Sequence, residues 1–178
     1  MAGKAREATV FVVDVGESMQ ATFAEASDGN KVTRAQTAVG IASKLVQHRL
    51  FFAPKHEVGV VFFGTSDTNN DLQDDGYANV YVCRDRKIDV PYVDALTGVS
   101  NAPPGGKGSD SVNALIVALD LMIKRTKDLK YEKSIVLITH GSSAQFGDPD
   151  LLECAYAALG SCEKGGCCKQ DQNGQHPH

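Results

Sequence analysis

Four stretches of the chain hold residue types that do chemistry in other proteins. The first is Asp14, which closes the run Thr9-Val10-Phe11-Val12-Val13-Asp14 and precedes Val15-Gly16-Glu17-Ser18. β-Branched and aromatic residues that stop at an acid and a small turn fit a central parallel strand. Such a strand carries polar side chains to the carboxyl edge of an α/β sheet, where these folds place their sites. The second is Pro104-Gly105-Gly106-Lys107-Gly108-Ser109. A phosphate loop needs Gly-x4-Gly-Lys-Ser/Thr directly after a strand, so that amides and the lysine surround the phosphates. Here Gly108 separates Lys107 from Ser109, the first glycine is misplaced and no strand precedes, so a flexible loop is the better reading. The third is His140-Gly141-Ser142-Ser143, an imidazole near hydroxyls without the Gly-x-Ser-x-Gly elbow of a hydrolytic triad. His48, His56, His176 and His178 stand at no motif spacing from it, which leaves a loop histidine. The fourth is the tail, with Cys162, Cys167, Cys168, His176 and His178. It lacks the Cys-x2–4-Cys spacing by which two thiolates grip one zinc. No catalytic constellation and no cofactor are expected.

Strand-like runs at 8–14, 57–63, 79–83 and 134–139 are dense in Val, Ile, Phe or Tyr. Between the first two, Val32, Ala35, Val39, Ala42 and Val46 recur at steps of three and four, which predicts a helix over 31–48. A second helix is expected after Ser109 or Asp110, either able to cap it, with Leu115, Leu119 and Met122 as its inner stripe. A third is expected from Asp148-Pro149 to near Gly160. Strands alternating with helices give an α/β fold with a doubly wound, mostly parallel sheet. The short link Ser66 to Gly76 has no room for a crossover helix, so the second and third strands should form an antiparallel edge pair.

At 178 residues the chain suits one domain with a buried core, and no apolar run is long enough to span a bilayer. The first residues, Met1 to Ala8, lack an apolar signal core. An odd count of five cysteines argues against a full disulfide framework, with Cys83 and Cys154 reading as small buried hydrophobes. The net charge is −4, and basic residues such as Arg84, Arg86, Lys87, Lys124 and Arg125 are dispersed among acids. A chain that grips phosphate backbone unaided shows a basic face, so this segment reads as a poor DNA binder.

Asp14-Val15-Gly16-Glu17-Ser18 resembles the metal motif Asp-x-Ser-x-Ser of von Willebrand factor A domains, with glycine in place of the first serine. Together with Val60-Val61-Phe62-Phe63-Gly64-Thr65, Tyr77-Ala78-Asn79-Val80-Tyr81-Val82 and Asn113-Ala114-Leu115-Ile116-Val117, it resembles the N-terminal von Willebrand A-like domain of the large Ku subunit, from about Ala8 to Leu159. The intact motif implies Asp14 and Ser18 as ligands, Ser109 or Ser111 in place of a threonine, and His140 where a final aspartate would stand. Gly16 offers no side-chain oxygen, imidazole suits zinc or copper better than magnesium, and Mg²⁺ demands octahedral oxygens. A vestigial site without metal is expected at Asp14, Gly16, Ser18, Ser109 and His140.

The Ku resemblance implies a nuclear protein of DNA double-strand break repair by non-homologous end joining and of telomere maintenance. It implies a heterodimer with the Ku small subunit and capture of DNA ends by the whole heterodimer. This segment would serve as a peripheral module on which repair factors dock, away from membranes. The family is often labelled an ATP-dependent helicase, which no residue here supports. The competing reading is an adhesion-type A domain that binds ligand through its metal. Residues 1–160 are expected to form the A-like domain, and 161–178, rich in Cys, Gly and Gln, a disordered tail. Because that tail lacks β-branched and aromatic residues, the sheet is expected to stop before the last strands of an A domain.

Overall fold

The computed structural model describes residues 6–25, 29–108, 110–127 and 129–141. Strand β1 (Arg6–Asp14) lies between β4 (Glu57–Phe63) and β6 (Tyr131–Ile138), both parallel to it, and β5 (Val80–Val82) closes one edge antiparallel to β4. The order β5-β4-β1-β6 includes the expected antiparallel edge pair, joined by a link containing one short 3₁₀ turn. All seven residues of β4 are buried, as continuous apolar runs in doubly covered strands require.

Alternation along β1 assigns its two faces. Phe11, Val13 and Val15 pack with helix α1 (Arg34–Phe52) and helix α2 (Val93–Ser100), while Ala8, Val10 and Val12 pack with helix α3 (Ser111–Thr126). Helices on both faces make the sheet doubly wound. A reciprocal capping box starts α1, in which Thr33 Oγ1 accepts from the Gln36 amide at 3.2 Å and Gln36 Oε1 from the Thr33 amide at 2.9 Å. That box moves the helix start from the expected residue 31 to Arg34, because residues 31–33 pair as β3 (Lys31–Thr33) with β2 (Thr22–Glu25). Asp110 caps α3, accepting from the Val112 and Asn113 amides at 2.9 and 3.2 Å.

The inner face of α3 differs from the expected stripe. Ala114, Val117, Ala118, Leu121 and Met122 are buried, whereas Leu115 and Leu119 are half-buried. Small residues bring the helix axis close to the sheet and rotate the leucines to its flank. Cys83 is buried as expected, and its thiol is pushed up to about 12 by that burial. Cys154, the helix expected from Asp148 and the tail all lie outside the described residues.

Two carboxylates anchor the amino ends of the strands. Glu57, 1% exposed, accepts both Arg125 Nε and Nη2 at 2.6 Å and the Tyr131 hydroxyl at 2.9 Å. Glu7 accepts from Arg49 and pairs with His56 Nδ1 at 2.9 Å.

Candidate functional site

The carboxyl edge of the sheet is built on a parallel register. Asp14 stands opposite Phe63 of β4, and Val13 opposite Ile138 of β6, which puts Thr139 beside Asp14. Asp14 is fully buried. Its Oδ1 accepts from the Gly16 amide at 2.9 Å, and its Oδ2 accepts from Thr139 Oγ1 at 2.8 Å. Thr139 Oγ1 in turn accepts from the Gly141 amide at 3.1 Å. One carboxylate therefore ties the first loop to the end of β6.

The Gly-rich loop is the second wall. The Gly106 amide donates to Val15 O at 3.0 Å, the Lys107 amide to Gly64 O at 3.1 Å, and Lys107 O accepts from the Glu17 amide at 3.0 Å. A Cβ on Gly105 would lie 1.9 Å from Val15 O, so glycine is required there by the close approach of two backbones. Two amides that a phosphate loop would turn toward its ligand are thus bonded to neighbouring carbonyls. The loop follows α2, not a strand.

Ser18 sits in a 3₁₀ turn, Glu17–Gln20, where its carbonyl accepts from Arg34 Nη1 at 3.3 Å. Ser111 opens α3 and is 1% exposed. The Oγ atoms of Ser18 and Ser111 are buried without a protein partner among the described residues. His140 is exposed and lines a groove of about 200 Å³ with Met19, Phe23, Arg34 and Ile41. Ser109, Ser142 and Ser143 lie outside the described residues. Among those described, no three His, Cys, Asp or Glu side chains converge as a metal cage.

The residue that reaches Asp14 is Thr139, one position before the His140 that stands where the motif's final aspartate was expected. The β1–β6 register settles the difference, since a shift of one residue decides which side chain meets the acid. A basic cleft was not legible in the sequence, because Arg86 and Lys87 come together with Lys124 and Arg125 only once β5 and α3 are folded.

A doubly wound sheet whose central strand brings an acid to the carboxyl edge, beside an antiparallel edge strand, is the architecture of a von Willebrand A-type domain. The Ku70/Ku80 N-terminal alpha/beta domain matches residues 8–159, and the chain belongs to that family. It is 36% identical over 137 residues to "X-ray repair cross-complementing protein 5" of Dictyostelium discoideum, covering 76% of this chain and 17% of that protein. It is 34% identical over 138 residues to "ATP-dependent DNA helicase 2 subunit KU80" of Oryza sativa subsp. japonica, covering 75% and 18%. A third relative, "X-ray repair cross-complementing protein 5" of Xenopus laevis, is 32% identical over 165 residues, covering 92% and 22%. The chain thus spans about a fifth of the length of these curated relatives. They support the large-subunit resemblance and the A-like fold expected from the sequence.

Proposed function

We propose that this domain is the N-terminal interaction module of a Ku large subunit, acting in the nucleus in DNA double-strand break repair by non-homologous end joining and in telomere maintenance. The family match over residues 8–159, with relatives named for X-ray repair and as KU80, carries the reading. In this reading the full protein pairs with the Ku small subunit, and the heterodimer captures DNA ends. The segment itself offers docking surfaces to repair factors and is not an enzyme. Its net charge of −4 and the dispersal of its basic residues among acids support weak DNA binding on its own.

We also propose that Asp14 serves as a structural clasp in place of a metal ligand, so that the domain needs no cofactor. Both of its oxygens already accept from protein donors, Gly16 contributes no oxygen, and position 140 carries an exposed imidazole. The metal-dependent adhesion reading draws on one observation, the hydroxyls of Ser18 and Ser111, which have no partner among the described residues.

A gel shift with blunt duplexes of several lengths at physiological salt tests the DNA part of the proposal. Retardation should be weak and independent of length, with Kd at about 10⁻⁵ M or above, as for non-specific contacts. Tight, end-specific binding by residues 1–178 alone would overturn it.

A further inference from the structure

We infer that the cleft between the β5–α2 loop and the last turn of α3 is a docking site for an acidic peptide segment of a partner protein. The cleft, of about 300 Å³, is lined by Arg86, Lys87, Ile88, Leu121, Lys124 and Arg125. Asp89 lines it as well. Ile88 and Leu121 are 4% and 5% exposed and form an apolar floor beneath the cations.

The decisive feature is a carboxylate held by two of the lining cations. Asp71 Oδ1 lies 3.3 Å from Arg86 Nη1, and Asp71 Oδ2 lies 3.0 Å from Lys124 Nζ. Two cations from elements distant in sequence therefore converge at a spacing that one carboxylate bridges. Side-chain exposures of 40% for Asp71, 35% for Arg86 and 50% for Lys124 leave the arrangement open to a competing anion. Lys87 is exposed and has no ion-pair partner among the described residues. Arg125 is committed to the buried Glu57 and acts as wall.

The loop is fixed in advance. Arg84, Asp85 and Arg86 hold φ of 55°, 53° and 61°, three successive left-handed residues with side chains. They are kept there by Arg84 Nη1 donating to Val90 O at 3.2 Å and Arg86 Nε donating to Asn69 Oδ1 at 2.7 Å. Asn69 Nδ2 in turn donates to Val82 O at 2.8 Å. A preorganised cation loses less on binding than a free one. A peptide fits better than a nucleic acid, because Asp71, Asp89 and Asp120 break any continuous track for a phosphate backbone.

The test is fluorescence anisotropy of the 1–178 chain with a labelled, acetylated hexapeptide Glu-Glu-Leu-Asp-Glu-Glu. Saturable binding is expected. Lys87→Glu combined with Lys124→Gln should weaken it about tenfold or more, while Lys44→Glu, on the opposite face, should change it less than about twofold. Asp71→Asn removes the carboxylate shared by Arg86 and Lys124, leaving Asp120 on Lys124 at 2.7 Å, and should tighten binding by about threefold. A melting curve for each variant separates loss of fold from loss of binding, and Lys87→Glu alone, at an exposed side chain, should also weaken binding. Absence of saturable binding, indifference to the cleft variants, or weaker binding by a folded Asp71→Asn chain would each overturn the inference. So would a short single-stranded oligonucleotide that displaces the peptide more strongly than unlabelled peptide does, which would assign the cleft to nucleic acid.

Discussion

Replacing Thr139 by valine removes one hydroxyl at nearly constant volume, opening the bond that joins β6 to Asp14 and the exposed one from the Gly141 amide. The bond to Asp14 is 2.8 Å long and ends on a fully buried carboxylate, while the Gly16 amide continues to serve the other oxygen. A hydrogen bond to a charged group contributes about 1.5–3 kcal/mol, and a buried acceptor that loses its donor keeps its desolvation cost. The expected loss is about 2 kcal/mol, a fall in melting temperature of about 4–8 °C for a chain of this size. Asp14→Asn should cost less, about 1 kcal/mol, because the amide retains an acceptor for Gly16 and the threonine hydroxyl can turn to accept. The two changes should couple in a double-mutant cycle, since both act on the Asp14–Thr139 contact. Thermal melts in EDTA and in millimolar magnesium provide the assay, and the losses should be the same in both. A Thr139→Val chain that melts with the parent in EDTA would refute the clasp.

Three further outcomes follow from the packing. Gly105→Ala places a methyl group 1.9 Å from Val15 O, a backbone atom that cannot rotate away, and should cost about 3 kcal/mol in denaturant melts. Arg125→Leu strands Glu57, 1% exposed, and should cost about 3–5 kcal/mol, whereas the pair Glu57→Gln with Arg125→Leu should recover part of that loss. The Arg49 guanidinium, against the cost of burial and with help from His56, holds the Glu7 carboxyl at about 2, below its ordinary 4.5. A depressed folded value stabilises above the unfolded pKa, so this contribution is full above about pH 4.5 and is lost as pH falls toward 2. Arg49→Met should flatten the acid limb of a stability–pH curve over that window, and an unchanged slope would count against the assignment.

The parts of this fold that were legible in the sequence are those whose local signals agree with their tertiary setting. Residues 10–13 of β1 and 58–63 of β4 are continuously apolar because both faces are covered, and α1 shows its stripe because one face only is buried. The β2–β3 hairpin escaped notice because all four residues of β2 are exposed and give no alternation to detect. α2 escaped because eight residues, with Ala95 and Val99 inward, carry barely two turns of pattern. Within the site, Asp14 was visible from the residues alone, since an acid at the end of a buried strand is unusual. Its true partner was not, because strand register is set by packing across the sheet and leaves no local trace. The basic cleft was hidden for the same reason, its cations lying on segments separated by more than thirty residues.

Asp14 is proposed as a clasp where A domains carry a metal ligand, and magnesium-dependent stability tests that most directly. Calorimetric titration and melting in 10 mM Mg²⁺ should give no saturable heat and no rise in melting temperature. A site with Kd near 1 mM would instead stabilise by about 1.4 kcal/mol and raise the melting temperature by about 3–6 °C. That rise, abolished by Ser18→Ala or Ser111→Ala, would contradict the clasp and restore the metal-dependent reading.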